Sequence, residues 1–220
     1  MQGNAPVMPA GPGSQRRRRA ALIAMLRAPK LATYDDLLSL PEGDRYEVLA
    51  GVVVAMPSPL PRHSKPQGRV YRFVGGPFDD DDGFGGPGGW WIFVEVDVRL
   101  GPHDIVRPDL SGWRRERLID PEARPFDVVP DWVCEIASPS TASRDRVYKK
   151  HLYARSGVRH DWVVDPDART LEALELVGGR WVEVGAYDET ATARVPPFEA
   201  VELPVGRLFL PPKAPEGGAG

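Results

Sequence analysis

VPDWVCEIASPSTASRDRVYKKHLYARSGVRHDWVVDPD, residues 129–167, decides the architecture. VPDWVCEIAS is apolar enough to lie in the middle of a sheet. Ser140, Thr141 or Ser143 caps a helix that runs to about Ser156, and Gly157 supplies the stop. DWVVDPD follows as another strand. Strand, helix and strand in this order predict a mixed α/β domain built on one central sheet.

Reading outward adds the rest. WWIFVEVDVRL is the clearest strand upstream, and DIVRPDLSGW is expected to pair with it across the Gly101-Pro102 turn. YEVLAGVVVAMP is β-rich and broken at Ala50-Gly51, which predicts a hairpin. Thr33 is placed to cap a short helix in TYDDLLSL, with Asp36 at the capping-box position. Residues 63–74 have helical spacing, with Pro66 restricting the start. Downstream, TLEALELVGGRWVEVGAY reads as an added hairpin turning at Gly178-Gly179. The stretch Gly75–Gly89, with four consecutive aspartates, reads as a turn-rich acidic loop.

The 220 residues suit one domain, expected over residues 15–210, with disordered tails at 1–14 and 211–220. Arg16 to Arg19 precede a short apolar run, ALIAML, read as a helix behind a flexible tail rather than a signal peptide. No apolar run is long enough to span a bilayer. The lone cysteine, Cys134, rules out an intrachain disulfide, which fits a cytoplasmic protein. Net charge is −3; beyond the first 20 residues, 24 basic residues face 31 acidic ones. That balance argues against tight, sequence-blind nucleic-acid binding, but not against a nuclease whose acids are screened by metal.

The chemistry concentrates on a few side chains. A carboxylate in an apolar strand is costly unless its charge is compensated. Glu135 shares a strand face with Val133 and Ala137 near the strand's end, and Asp109 follows the extended Arg107-Pro108. If their strands are neighbours, both carboxylates reach one divalent cation, and oxygen ligands suit Mg²⁺ or Mn²⁺. Asp145, Lys149 and Tyr153, spaced i, i+4, i+8, lie along one side of the following helix. Lys149 can then point back at the acids and stabilise charge in a phosphodiester transition state. Glu47 is a third acidic candidate. The bland readings compete with these. A strand acid is more often in a salt bridge or at a solvated edge, and Lys149 can simply pair with Asp145. Glu95 and Asp97 are expected to face water. His63 is as suited to a satisfied surface position as to a base. His103, His151 and His160 lack zinc-ligand spacing. SPST suits capping as well as phosphate binding, and Trp90, Trp91 and Trp113 suit an interface as well as a core.

The order of these segments carries more than any one of them. RYEVLAGVVV, a His after MPSPLPR, VRPDL, PDWVCEIASPST, then Asp145-x-x-x-Lys149-x-x-x-Tyr153 and GVRHDWVVDPD together resemble the Uma-type putative restriction endonucleases, a branch of the PD-(D/E)XK nuclease superfamily. The resemblance covers about residues 33–190. It implies a restriction-endonuclease-like core, a mixed four-stranded sheet flanked by helices, and magnesium-dependent cleavage of DNA. It places the catalytic residues at Glu47, Asp109, Glu135 and Lys149, and the metal ligands at Asp109, Glu135, Glu47 and the Ile136 backbone carbonyl. His63, Asp145 and Tyr153 match recurrent positions. The superfamily's usual Glu-x-Lys would put lysine at 137, where this chain has Ala137; the resemblance treats Lys149 as the relocated lysine, with Lys150 as fallback. The acidic Gly75–Gly89 stretch is a second departure. Two alternatives stay open: an inert nucleic-acid-binding or protein-interaction module of the same fold, and a phosphodiesterase acting on RNA or small nucleotides. A homodimer is the default expectation for cutting both strands.

Overall fold

A computed structural model describes residues 30–41, 45–79, 86–118, 120–138 and 144–211, except for the side chains of 144–146. The chain divides into Met1–Leu31 and Ala32–Gly220. Of the first unit only residues 30 and 31 are described, so the account that follows concerns the second. The N-terminal tail, residues 212–220 of the C-terminal one, the ALIAML segment, the Asp80–Gly85 part of the acidic loop and the caps expected at Ser140, Thr141 or Ser143 lie outside the described residues.

Helix α1 (Tyr34–Leu38) starts at the Thr33 capping box, where Asp36 accepts hydrogen bonds from the Thr33 amide and hydroxyl. Strands β1 (Arg45–Leu49) and β2 (Val52–Met56) form the expected hairpin, with Ala50 and Gly51 at positive φ. Helix α2 (Pro61–Asp79) is longer than its sequence pattern predicts. It takes in the first five residues of the stretch read as a loop, and Val70, Val74 and Phe78 supply its buried stripe. Pro61 occupies the first turn, where the missing N–H costs nothing.

The strongest strand signals are folded in half. WWIFVEVDVRL splits into β3 (Trp90–Val94) and β4 (Val98–Gly101), and DIVRPDLSGW into β5 (Asp104–Val106) and β6 (Leu110–Arg114). β4 pairs with β5 across the Gly101-Pro102 turn, and β3 pairs with β6. The long hairpin therefore forms as read, but it bends at Glu95, whose φ is 53°, and at Arg107–Asp109. Its base and its tip belong to different sheets. The expected single central sheet is thus two sheets. One has six strands in the order β10-β9-β8-β7-β6-β3, and the other four in the order β2-β1-β5-β4.

β7 (Trp132–Ile136), α3 (Arg144–Ser156) and β8 (His160–Asp165) form the strand-helix-strand unit, and β7–β8 is the parallel pair of the six-stranded sheet. Gly157, at φ 85°, ends α3 in the left-handed conformation that glycine adopts without cost. β9 (Thr170–Val177) and β10 (Arg180–Asp188) add the predicted hairpin at the edge. Beyond it, β11 (Thr192–Ala193) and β12 (Leu203–Pro204) make a two-stranded sheet.

Alternation along β7 assigns its two faces. Trp132, Cys134 and Ile136 join the core beneath α2, where Trp90, Trp132 and Trp162 close around Phe198 at ring distances of 4.9 to 5.6 Å. Val133 faces the other core, with Leu152 and Tyr153 of α3 and Leu49, Val98 and Val106 of the four-stranded sheet. By the period of two, Glu135 joins Val133 on the α3 side, and Glu47 joins Leu49. Trp90 and Trp113 are core residues rather than interface residues. Burial raises the Cys134 thiol well above its ordinary pKa. No helix of the described residues is long and apolar enough to cross a membrane.

Candidate active site

The two carboxylates come together through a main-chain contact. Asp109 sits at the bend between β5 and β6, and its Oδ2 accepts the Ile136 N–H at 2.7 Å, beside Glu135 on β7. The bend itself is pinned. Gln67 of α2 donates to the Asp109 carbonyl at 3.1 Å and to Glu95 Oε1 at 3.0 Å, and the Glu95 amide donates to the same carbonyl at 3.3 Å. One turn earlier on α2, His63 Nε2 lies 3.5 Å from Asp109 Oδ2.

α3 contributes the cation. Lys149 Nζ lies 2.8 Å from Glu47 Oε1 and 3.2 Å from Glu135 Oε1. Tyr153, one turn on, donates its hydroxyl to Glu135 Oε1 at 2.5 Å. Glu47 Oε1 also accepts the Arg107 amide at 2.7 Å. Glu47, Asp109, Lys149 and Tyr153 are all buried, and Glu135 is partly so. The group lies on the wall of a cavity of about 490 Å³.

Charge in this space is unbalanced. Burial pushes the Glu135 carboxyl up to about 7; Lys149 and the Tyr153 hydrogen bond oppose the rise, while Asp109 and Glu47 add to it. Burial disfavours the Lys149 ammonium, but Glu135 and Glu47 outweigh that cost and hold it charged well beyond the ordinary lysine range. Burial likewise disfavours charge on His63, yet Asp109, Glu135 and the Ile136 main chain prevail, so its pKa rises. Tyr153 is raised well above its usual value by burial and by Glu135.

The structure therefore brings together Glu47, His63, Asp109, Glu135, Ile136, Lys149 and Tyr153. The Asp145 side chain lies outside the described residues. Lys150 lines the cavity, and its carbonyl accepts the Trp181 indole N–H. Among the described residues no three His, Cys, Asp or Glu side chains are grouped as metal ligands. Glu47 Oε1 is engaged by Lys149 and the Arg107 amide, Glu135 Oε1 by Lys149 and Tyr153, and Asp109 Oδ2 by the Ile136 amide, so each carboxylate keeps a second oxygen outside these contacts. Hard carboxylate oxygens with surplus negative charge are a donor set of the kind that fits a Mg²⁺ keeping several of its waters.

Over residues 31–206 the chain matches the sequence profile of the Uma2 family, described as "Putative restriction endonuclease". The chain belongs to the Uma2 family. A similar solved structure is that of a putative nuclease belonging to DUF820 from Anabaena variabilis ATCC 29413. It shares 26% identity at a TM-score of 0.64, and the match covers 80% of this chain and 97% of that one. No curated protein matches the chain.

Within the Uma2 fold, two expectations are corrected. Glu95 and Asp97 do not face water. Glu95 pairs with Arg45 at 2.6 Å, and Asp97 with Arg107 at 2.7 Å, its side chain only 8% exposed. The alternation that suggested a solvent face belongs to a straight strand, and the chain bends here. Sequence reasoning also missed Gln67. Its signal was present: Gln67 follows His63 by four residues, so both lie on one face of a helix.

Proposed function

We propose that this protein is a metal-dependent phosphodiesterase that cuts DNA internally. The observation that carries the reading is the Lys149 ammonium held between Glu47 and Glu135, with Asp109 locked beside Glu135 by the Ile136 amide. Membership of a family described as "Putative restriction endonuclease" supports nuclease chemistry in general.

Asp109 and Glu135 would hold Mg²⁺ or Mn²⁺, which when bound supplies Lewis acidity towards the phosphate and activates water near neutral pH. Lys149 stays protonated and places a fixed positive charge where the phosphorane's negative charge develops. Glu47 anchors Lys149 at 2.8 Å, so the ammonium is positioned before substrate arrives. Tyr153 fixes one oxygen of Glu135 and leaves the other free to act. His63 and Gln67 hold Asp109 from α2, at its carboxylate and its main chain respectively.

The test is incubation with plasmid DNA and Mg²⁺ or Mn²⁺ beside Asp109→Ala and Glu135→Ala. Nicking or linearisation by the native chain, abolished by both substitutions, is the expected result. DNA binding without cleavage would instead identify an inert module of the same fold.

A further inference from the structure

We propose that the outer crest of α2 is the surface that holds duplex DNA, with the phosphate backbone running over Lys65 and Arg72 towards the carboxylate site. The inference rests on the assignment of DNA as substrate and names the surface that delivers it. The chain is acidic, with a net charge of −3. Such a protein repels a duplex unless cations are gathered where it docks. They are gathered on α2. From Pro61 to Phe78 this helix carries Arg62, Lys65, Arg69 and Arg72 and no carboxylate.

The spacing places these cations together. At about 100° per residue, positions 62, 65, 69 and 72 fall within an arc of about 80°. The buried stripe of Val70, Val74 and Phe78 lies on the other side of the helix. Lys65 and Arg72 stand opposite that stripe, and both are exposed. A helix face that only keeps a protein soluble mixes both signs and ties them in i, i+4 pairs. This face carries one sign.

The four cations differ in what engages them. Arg69 donates to the carbonyls of Arg207 and Phe209 at 2.8 and 2.5 Å, which ties the C-terminal segment to the helix. Arg62 pairs with Asp167 at 2.9 Å, but both side chains are about half exposed. A pair so open to water is weak, and a phosphate can replace the carboxylate. Lys65 and Arg72 make no ion pair or hydrogen bond with any described residue. Asp79, the one acid of α2, accepts the Ile92 amide at 3.2 Å. Between Lys65 and Arg72 the crest is opened by Gly68. A Cβ there would meet nothing within 4 Å, so packing does not call for a glycine, which weakens a helix relative to alanine. Its bare backbone lets a phosphate chain lie against the helix.

The crest leads to the site. Arg62 and His63 line the cavity, and His63 reaches Asp109. Arg72 stands about 15 Å along the helix axis from Arg62. Along a duplex, that length passes about four phosphates of each strand. A backbone held on the crest is therefore guided to the carboxylates by the same helix that pins Asp109 through Gln67.

The experiment measures binding of a labelled duplex by fluorescence anisotropy at low salt without divalent metal. It compares the native chain, Lys65→Gln with Arg72→Gln, and a control of equal charge, Arg159→Gln with Arg180→Gln, two exposed cations beside the start of β8 and the β9–β10 turn. The α2 variant should bind at least tenfold more weakly, with a plot of log K against log salt shallower by about 1.8. The control should change less than twofold. Lys65→Arg with Arg72→Lys keeps both charges and should stay within threefold of native. In the plasmid assay the α2 variant should raise KM at least tenfold at unchanged kcat. Unchanged duplex binding by the α2 variant, an equal loss in the control, or a tenfold loss in the charge-keeping exchange overturns the proposal. A native chain that binds no duplex overturns it as well. Binding through this crest without cleavage in Mg²⁺ or Mn²⁺ upholds the surface and overturns the nuclease reading alone.

Discussion

Lys149 Nζ and Glu47 Oε1 meet at 2.8 Å with both side chains more than nine-tenths buried. Removing one member of such a pair strands the other charge. Lys149→Met is expected to destabilise the fold by about 3–5 kcal/mol, read as a lower urea midpoint. The double variant Lys149→Met, Glu47→Gln should recover most of that loss while staying inactive. Recovery of stability without cleavage separates the structural role of the pair from its chemical one.

Stability should depend on pH through Glu135. Its carboxyl rises from an ordinary 4.5 to about 7 in the folded protein, first because it is buried and then because Asp109 and Glu47 stand near. A raised carboxyl favours the protonated folded state, so its contribution is full below about pH 4.5 and is lost as pH climbs through about 7. Metal-free protein should lose stability over that window. Glu135→Gln should flatten that part of the curve, measured as unfolding free energy against pH.

Tyr153→Phe deletes the 2.5 Å hydrogen bond that favours the ionised Glu135. A hydrogen bond to a charged group contributes about 1.5–3 kcal/mol. The variant should shift the acidic limb of the cleavage profile to higher pH, while the rate on the alkaline plateau changes less. An unchanged limb would exclude this bond from setting the protonation of Glu135.

Gln67→Leu removes two bonds at the bend, to the Asp109 carbonyl and to Glu95. Supports of metal-binding groups typically carry about 10- to 100-fold in metal affinity or activity. Calorimetric titration with Mg²⁺ should show weaker binding, and the cleavage rate should fall at unchanged KM for DNA. Unaltered Mg²⁺ binding would make Gln67 a purely structural residue.

Phe198→Ala tests the core beneath α2. The ring packs against Phe78, Trp90, Trp132 and Trp162 at 4.7 to 5.6 Å. Its loss should cost about 3–5 kcal/mol in chemical denaturation while leaving Mg²⁺ binding intact.

Elements governed by local rules were legible in the sequence. The Thr33 capping box, the Ala50-Gly51 and Gly178-Gly179 turns and the β7–α3–β8 unit each follow from residues a few positions apart. That Lys149 and Tyr153 share one side of α3, and Glu135 one face of β7 with Val133, follows from helix and strand periods; that the two faces meet does not. The bends at Glu95 and Asp109 did not follow. A glutamate at φ 53° carries no compositional mark, and it is held by Arg45 and Gln67, far away in sequence. Reading Glu95 and Asp97 as solvent-facing failed for the same reason: their partners are long-range. The pairing of Glu47 with Lys149 depends on the four-stranded sheet closing over α3, which no local pattern dictates.

The outermost strand of the larger sheet carries its own protection. Between Glu183 and Gly185, β10 holds one residue too many for its partner, and the register slips. Tyr187 lies so close over Gly185 that a Cβ there would meet its ring at 2.5 Å or less. A second polypeptide laid along this rim would lose step at the kink and find the glycine covered. The irregularity acts as a stop to open-ended growth, and a substitution that straightened it would be expected to trade a discrete molecule for a polymerising one.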